Sequence, residues 1–318
     1  MPAATVVPAA RASTALGARL GVVALGLCWG LNWVAVRIAL HEVRPWSLRC
    51  IGMGLGTVLL LAWARSRGLP LAVPRGAARM RLALAGLLNV AAFGVFTAFA
   101  QLAGATSRVT MVTYTMPIWS VLLARIVLGE RLDGTRGAAL ALAVAGLAVL
   151  VGPTAAAGGT AGMGWALLAA LCWAAGTVWL KAAPIDADPV AVAAWQLAAG
   201  FGAVAIGAAL VEGAPRGWPA DAATWAAIAY HVLLGMALPY LLWFAAVRRL
   251  PASSAALGTL LVPVVAVLGA VVVLGERPGP VDLLGFSMIF AAAAAVLLRP
   301  APSDERPTRA PRPTGDPS

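Results

Sequence analysis

Carboxylates are scarce in this chain, and none falls in the middle of an apolar run. Its 318 residues hold 12 Asp and Glu against 23 Lys and Arg, and Lys181 is the only lysine. Charged residues make up 11% of the chain, where a soluble domain carries about 25%. That leaves too little polar surface to face water all round. The two histidines, His41 and His231, lie in different regions. With no cluster of His, Asp or Glu at helical spacing, catalysis has no visible machinery, and a membrane-embedded enzyme is the remote alternative. Cys28, Cys50 and Cys172 all sit in apolar runs without a Cys-x-x-Cys pair, which argues against a disulfide framework and a metal site. No Walker-type phosphate loop is present. Gly52, Gly54 and Gly56 read as a small-residue packing face within an apolar helix. No selectivity ring of the kind a channel needs is visible, and no cofactor is implied.

What is abundant is apolar: 61% of residues are hydrophobic, and the net charge is +11. The arginines lie between apolar runs rather than on one compact face, so the basic charge does not point to nucleic acid. The lipid bilayer is the implied environment. A spanning helix needs about 20 apolar residues. Ten runs qualify or come close: 20–40, 46–64, 82–102, 109–128, 137–152, 162–180, 189–211, 223–246, 254–274 and 281–298. The first is too long for a signal peptide and lacks a small-x-small exit, so it reads as a spanning helix. The tail from Arg299 is rich in Pro, Arg and Asp, the composition of a disordered segment. Lysine and arginine are retained on the cytoplasmic side, and their distribution among the loops predicts that both termini are cytoplasmic, in the plasma (inner) membrane.

Pro117–Arg131 (PIWSVLLARIVLGER) returns at Pro263–Arg277 (PVVAVLGAVVVLGER), with 9 of 15 positions identical. Cys28-Trp29 likewise returns as Cys172-Trp173, with Arg37 matched by Lys181 at the same separation. Thr106-Ser107 corresponds to Ala252-Ser253. The chain is therefore one unit written twice: residues 20–153 and 162–299, with a cytoplasmic segment 1–19 before and a tail 300–318 after. Five spans per half is an odd number, so the second copy must cross the bilayer upside down. The expected fold is all-α integral membrane, ten transmembrane helices as two inverted five-helix repeats. Such repeats place a substrate route between the halves near the midplane.

Several pieces of this pattern together resemble the EamA-type family of the drug/metabolite transporter superfamily. They are Cys-Trp-Gly-x-Asn-Trp-x-x-x-Arg at Cys28–Arg37, Arg49 early in span two, and a mid-helix proline followed by Gly-Glu-Arg in each half. The resemblance covers roughly residues 17–299. It implies ten helices and movement of small organic solutes (amino acids, metabolites or toxic compounds), often by export. An uptake permease or facilitator of the same fold is the alternative.

Polar residues inside spans are costly and face a cavity or a partner. The substrate-path candidates are Trp29, Asn32, Arg49, Asn89, Arg108, Tyr114, Trp173, Gln196, His231 and Tyr240. Asn32 and Asn89 either tie helices together or line the path. Tyr240 also reads as a packing or interface aromatic. Arg37, Arg44, Arg49 and Arg108 gather at the outer mouth, either snorkelling to lipid phosphates or drawing in carboxylate groups; Arg49 and Arg108 fit the second role better. Pro117, Pro239 and Pro263 are either fixed kinks or hinges. Glu130 and Glu276 read as anchors at opposite membrane boundaries. Coupling to protons would use His231, the only residue in the core of a span that titrates near neutral pH, or a carboxylate at a helix end. Facilitated diffusion fits equally well. The oligomeric state, the direction of transport and the substrate are left open.

Overall fold

The structure is a computed structural model that describes residues 8–130, 132–156, 160–214, 217–242 and 252–298. The expected tail 300–318 lies outside the described residues. Ten helices run in chain order: α1 (Pro8–Ala39), α2 (Pro45–Ser66), α3 (Ala77–Ala103), α4 (Thr106–Leu128), α5 (Gly134–Ala156), α6 (Ala161–Ala182), α7 (Pro189–Glu212), α8 (Ala222–Leu242), α9 (Ala252–Leu274) and α10 (Pro280–Leu297). Nine of them contain a stretch long and apolar enough to cross a membrane, and α9 adds a shorter apolar helix at Thr259–Leu274. The first helix starts at Pro8, well before the first apolar run.

Helix ends repeat between the halves. Proline opens both α2 and α7, where its fixed φ and missing N–H suit the first turn. Gly129 (φ 69°) and Gly275 (φ 68°) close α4 and α9 in the left-handed region, which is why Gly precedes Glu-Arg in both copies. Asp188 and Asp221 accept hydrogen bonds from the amides of Val190 and Ala223 and so start α7 and α8.

The halves interlock rather than sit side by side. α1 packs on α9 and α6 on α4; α3 packs on α6 and α8 on α1; α2 meets α7, and α5 meets α10. Each contact has a mate under exchange of the repeats. Small residues allow the close approaches. A methyl group on Gly86 of α3 would lie 2.6 Å from the Gln196 carbonyl of α7, and one on Gly285 of α10 would lie 2.6 Å from Leu150 of α5.

Helix ends sort onto two faces. Glu276, just after α9, lies against the start of α4, whereas Glu130, just after α4, lies beside Lys181 at the end of α6. The duplicated segments therefore run in opposite senses. The prolines within them differ. α4 is interrupted by a turn at Tyr114–Thr115 directly before Pro117, whereas α9 runs helically through Pro263. An equal bend at both prolines is not what the structure contains. Helices α3 and α8 share another irregularity, a π-helical stretch at Leu87–Ala92 and at His231–Ala237, the kind of local widening often found at functional sites. Pro239 is buried in the turn that follows the second of these.

Candidate functional site

Three helices drawn from both halves, α1, α2 and α8, meet at His231. The imidazole is fully buried on α8, and Nδ1 lies 2.9 Å from Oδ1 of Asn32 on α1. A carboxamide oxygen only accepts, so Nδ1–H donates and Nε2 carries the lone pair. Among the described residues that Nε2 has no hydrogen-bond partner, and it points at α2, where a methyl group on Gly52 would lie only 2.3 Å away. Trp29, one turn before Asn32, donates from Nε1 to the Gly235 carbonyl at 3.2 Å and stacks edge-on against Tyr240 with ring centres 6.0 Å apart.

Arg49 does not lie at the mouth. It is 4% exposed inside the bundle, donating from Nε to the Gly94 carbonyl at 2.7 Å and from Nη2 to the Thr97 hydroxyl at 3.0 Å, both on α3. Among the described residues no carboxylate lies within ion-pair distance of it. A buried guanidinium without a counter-charge is costly in a membrane protein.

The other candidates are spread out. Asn89 lies on α3 against Gly176 of α6, and its Oδ1 is buried without a partner among the described residues. Tyr114 is buried at the break in α4, in the apolar cluster that Trp29 borders. Trp173 is half-buried on α6, and Gln196 is half-buried on α7, where its carbonyl faces Gly86. Arg108 sits at the Glu276 face, donating to both carboxylate oxygens of Asp282 at 2.6 and 3.0 Å. This fork-like pair joins α4 to α10. Arg37 and Arg44 donate to the carbonyls of Gln101 and Glu212. All four arginines of the expected mouth cluster thus bond to protein.

The Glu276 face also carries a repeated device absent from the sequence reading. Glu276 accepts from the amides of Thr106 (2.6 Å) and Ser107 (3.0 Å) at the start of α4. Glu212 accepts from Trp46 and Ser47 at the start of α2, each at 2.9 Å. Glu42 accepts from Ala220 and Asp221 just before α8, each at 3.2 Å. In each case a carboxylate from one half caps a helix of the other, where free N–H groups and the helix dipole favour negative charge. Glu276 is thus a clasp between the halves. Glu130, on the opposite face, pairs with Lys181 and Arg136. A cavity of about 690 Å³ opens beside the Glu276 clasp, lined by Arg37, His41, Gly104 and Glu276 among others. It lies at the mouth, away from the tightly packed centre.

Glu42 carries a pH consequence. The Thr224 hydroxyl, then the Asp221 and Ala220 amides, hold its carboxyl below its ordinary value of 4.5. A depressed folded-state value stabilises the fold above the unfolded pKa, and the gain is lost as pH falls through the folded value. The thermal midpoint of the purified protein is therefore expected to fall more steeply below pH 4.5 than that of Glu42→Gln. Parallel acid limbs for the two proteins would contradict this.

Interlocked inverted halves, spanning helices and buried polar residues at the seam define a ten-helix membrane carrier. The EamA-like transporter family model matches residues 16–152 and 160–298, once per half. The chain belongs to this family. It is 30% identical over 276 residues to a probable terminal-alkyne amino-acid exporter of Streptantibioticus cattleyicolor, covering 84% of this chain and 89% of that one. It is 28% identical over 281 residues to a probable amino-acid metabolite efflux pump of Salmonella typhimurium, covering 83% and 89%. The uncharacterized transporter YoaV of Bacillus subtilis is 23% identical over 250 residues, covering 78% and 85%. One crystal structure superposes with a TM-score of 0.62 at 22% identity, over 89% of this chain and 97% of the other, a likeness of fold. The family and these names indicate a transporter of small solutes in a membrane rather than an enzyme.

The residues that sequence reasoning missed are glycines and face carboxylates, Gly176, Gly235, Glu42, Glu212 and Asp282, while Gly52, read as a packing residue, faces His231. The glycines were within reach, because each opposes a polar side chain that the sequence did single out.

Proposed function

We propose that this chain is a plasma-membrane exporter of small carboxylate-bearing solutes of the amino-acid class. In this reading the two halves work by alternating access, both termini face the cytoplasm and the Glu276 face is external. The units are residues 20–153 and 162–299, with 1–19 and 300–318 outside the bilayer. The observation that carries the substrate class is Arg49, a buried cation with no carboxylate partner among the described residues, one turn before Gly52, which faces His231 of the other half. A substrate carboxylate supplies the counter-charge that the protein omits. The names of two relatives, an amino-acid exporter and an amino-acid metabolite efflux pump, support the same class and the direction.

The substrate route runs among α1, α3, α4, α6, α8 and α9, with Trp29, Asn32, Asn89, Tyr114, Trp173 and Tyr240 along it. Gln196 and Arg108 flank the route from α7 and from the external mouth. The break before Pro117 is the hinge of the first half, with Pro263 and Pro239 as its counterparts in the second. The clasps of Glu42, Glu212 and Glu276 with the Arg108–Asp282 pair form the external gate. His231 is the group for proton coupling, since its bare Nε2 can take a proton.

The test is counterflow in proteoliposomes. Liposomes preloaded with an unlabelled amino acid should transiently accumulate the labelled one with saturable kinetics. Flux that never saturates, or none across a panel of amino acids, contradicts the reading.

A further inference from the structure

The two repeats build one notch twice. The 144-residue offset that carries Cys28-Trp29 onto Cys172-Trp173 carries Asn32 onto Gly176. The 146-residue offset that carries Pro117 onto Pro263 carries Asn89 onto Gly235. In space the pairing crosses over. A methyl group on Gly235 would lie 2.3 Å from Oδ1 of Asn32, and one on Gly176 would lie 2.1 Å from Oδ1 of Asn89. The α1–α8 contact and the α6–α3 contact are therefore the same contact under exchange of the halves. Each holds one asparagine and one glycine, with the asparagine on the first helix of its repeat in one notch and on the third helix in the other. Both third-helix members lie in the matching π-helical stretches.

Volume explains why the types are exchanged rather than repeated. Two asparagines would collide at these separations, and two glycines would leave no polar group. Chemistry suggests what the polar group is for. Oδ1 of Asn89 is buried with no partner among the described residues. Neither Nδ2 has a hydrogen-bond partner among the described residues. A helix-tying role would satisfy these atoms, because an unpaired polar group inside a membrane is costly.

We propose that the two notches are a single substrate-contact position used once from each half, each presenting a carboxamide to the polar head of a carboxylate-bearing solute. What the position requires is one asparagine per notch, on either helix. This inference rests on the transporter reading above, and it goes beyond that reading in fixing both the pairing and the interchangeability of its residues.

The Asn89–Gly176 notch tests it without disturbing His231. Three variants would be compared with wild type in amino-acid counterflow and in thermal unfolding: Asn89→Gly, Gly176→Asn, and the two together. Asn89→Gly loses the carboxamide and Gly176→Asn creates a collision, so each should lower transport about tenfold or more, the weight of one hydrogen bond to a charged group. The exchanged double variant should return to within about threefold of wild type. Unchanged transport in Asn89→Gly overturns the proposal. So does an exchange that restores the thermal midpoint but not transport, because the notch is then packing alone. If wild type carries no amino acid, the transporter reading fails on its own and the substrate contact falls with it. The pairing is then read from the midpoints, which must be low in both single variants and restored in the exchange.

Discussion

Arg49→Met is expected to lower transport of carboxylate-bearing solutes about 10- to 100-fold without lowering the stability of the protein. The guanidinium is buried, holds α3 through the Gly94 carbonyl and the Thr97 hydroxyl, and has no acidic partner among the described residues. Thr97 does not depend on it, because its hydroxyl also donates within α3 to the carbonyls of Phe93 and Gly94. An apolar chain of similar length removes an uncompensated buried charge, a change that is often neutral or stabilising. The substrate loses a charge-assisted contact of about 1.5–3 kcal/mol, roughly 10- to 100-fold in transport. The thermal midpoint should equal or exceed that of wild type. A lower midpoint with normal counterflow would make Arg49 a structural tie between α2 and α3.

Gly86→Val is expected to have the largest effect on the fold itself. The glycine sits where α3 and α7 touch backbone to side: a Cβ would lie 2.6 Å from the Gln196 carbonyl and 2.8 Å from the Ala199 methyl. A carbonyl held in a helix cannot swing away as a long side chain can, so the helices must part. A Cβ on Gly200 of α7 would likewise lie 2.6 Å from Val90 of α3, so nearby packing has no slack. Overpacking of this kind typically costs about 1–3 kcal/mol, and the backbone neighbour puts this site at the upper end. Gly202, whose Cβ would meet nothing within 4 Å, is the control on the facing helix α7: Gly202→Val should leave the midpoint nearly unchanged. Equal losses from both variants would contradict the argument.

Much of the fold was legible because the repeat states it twice. Odd span number, duplicated Gly-Glu-Arg ends and the loop arginines lead to ten helices in two opposed halves, and the helix ends of α4 and α9 fall on opposite faces as the duplication requires. Side-chain destinations were less legible. Arg49 lies a few residues inside α2, and sequence position alone made it a mouth residue. Its burial depends on α3 presenting the Gly94 carbonyl and the Thr97 hydroxyl to the guanidinium. The carboxylate clasps were hidden for another reason. Glu42, Glu212 and Glu276 look like ordinary helix-end charges until the other half brings free amides to them. The mid-helix prolines shared a sequence pattern, yet only Pro117 follows a break, because the same local signal is resolved differently by different neighbours.

The central claim is that the halves part and close at the Glu276 face during transport. Arg108 and Asp282 pair across that mouth. The direct measurement is counterflow by a protein carrying Arg108→Cys and Asp282→Cys, with Cys28, Cys50 and Cys172 replaced by alanine, before and after treatment with a short bifunctional thiol cross-linker. Transport that stops on cross-linking and returns on reduction is the predicted result. Transport that continues with the two positions covalently joined would contradict the account.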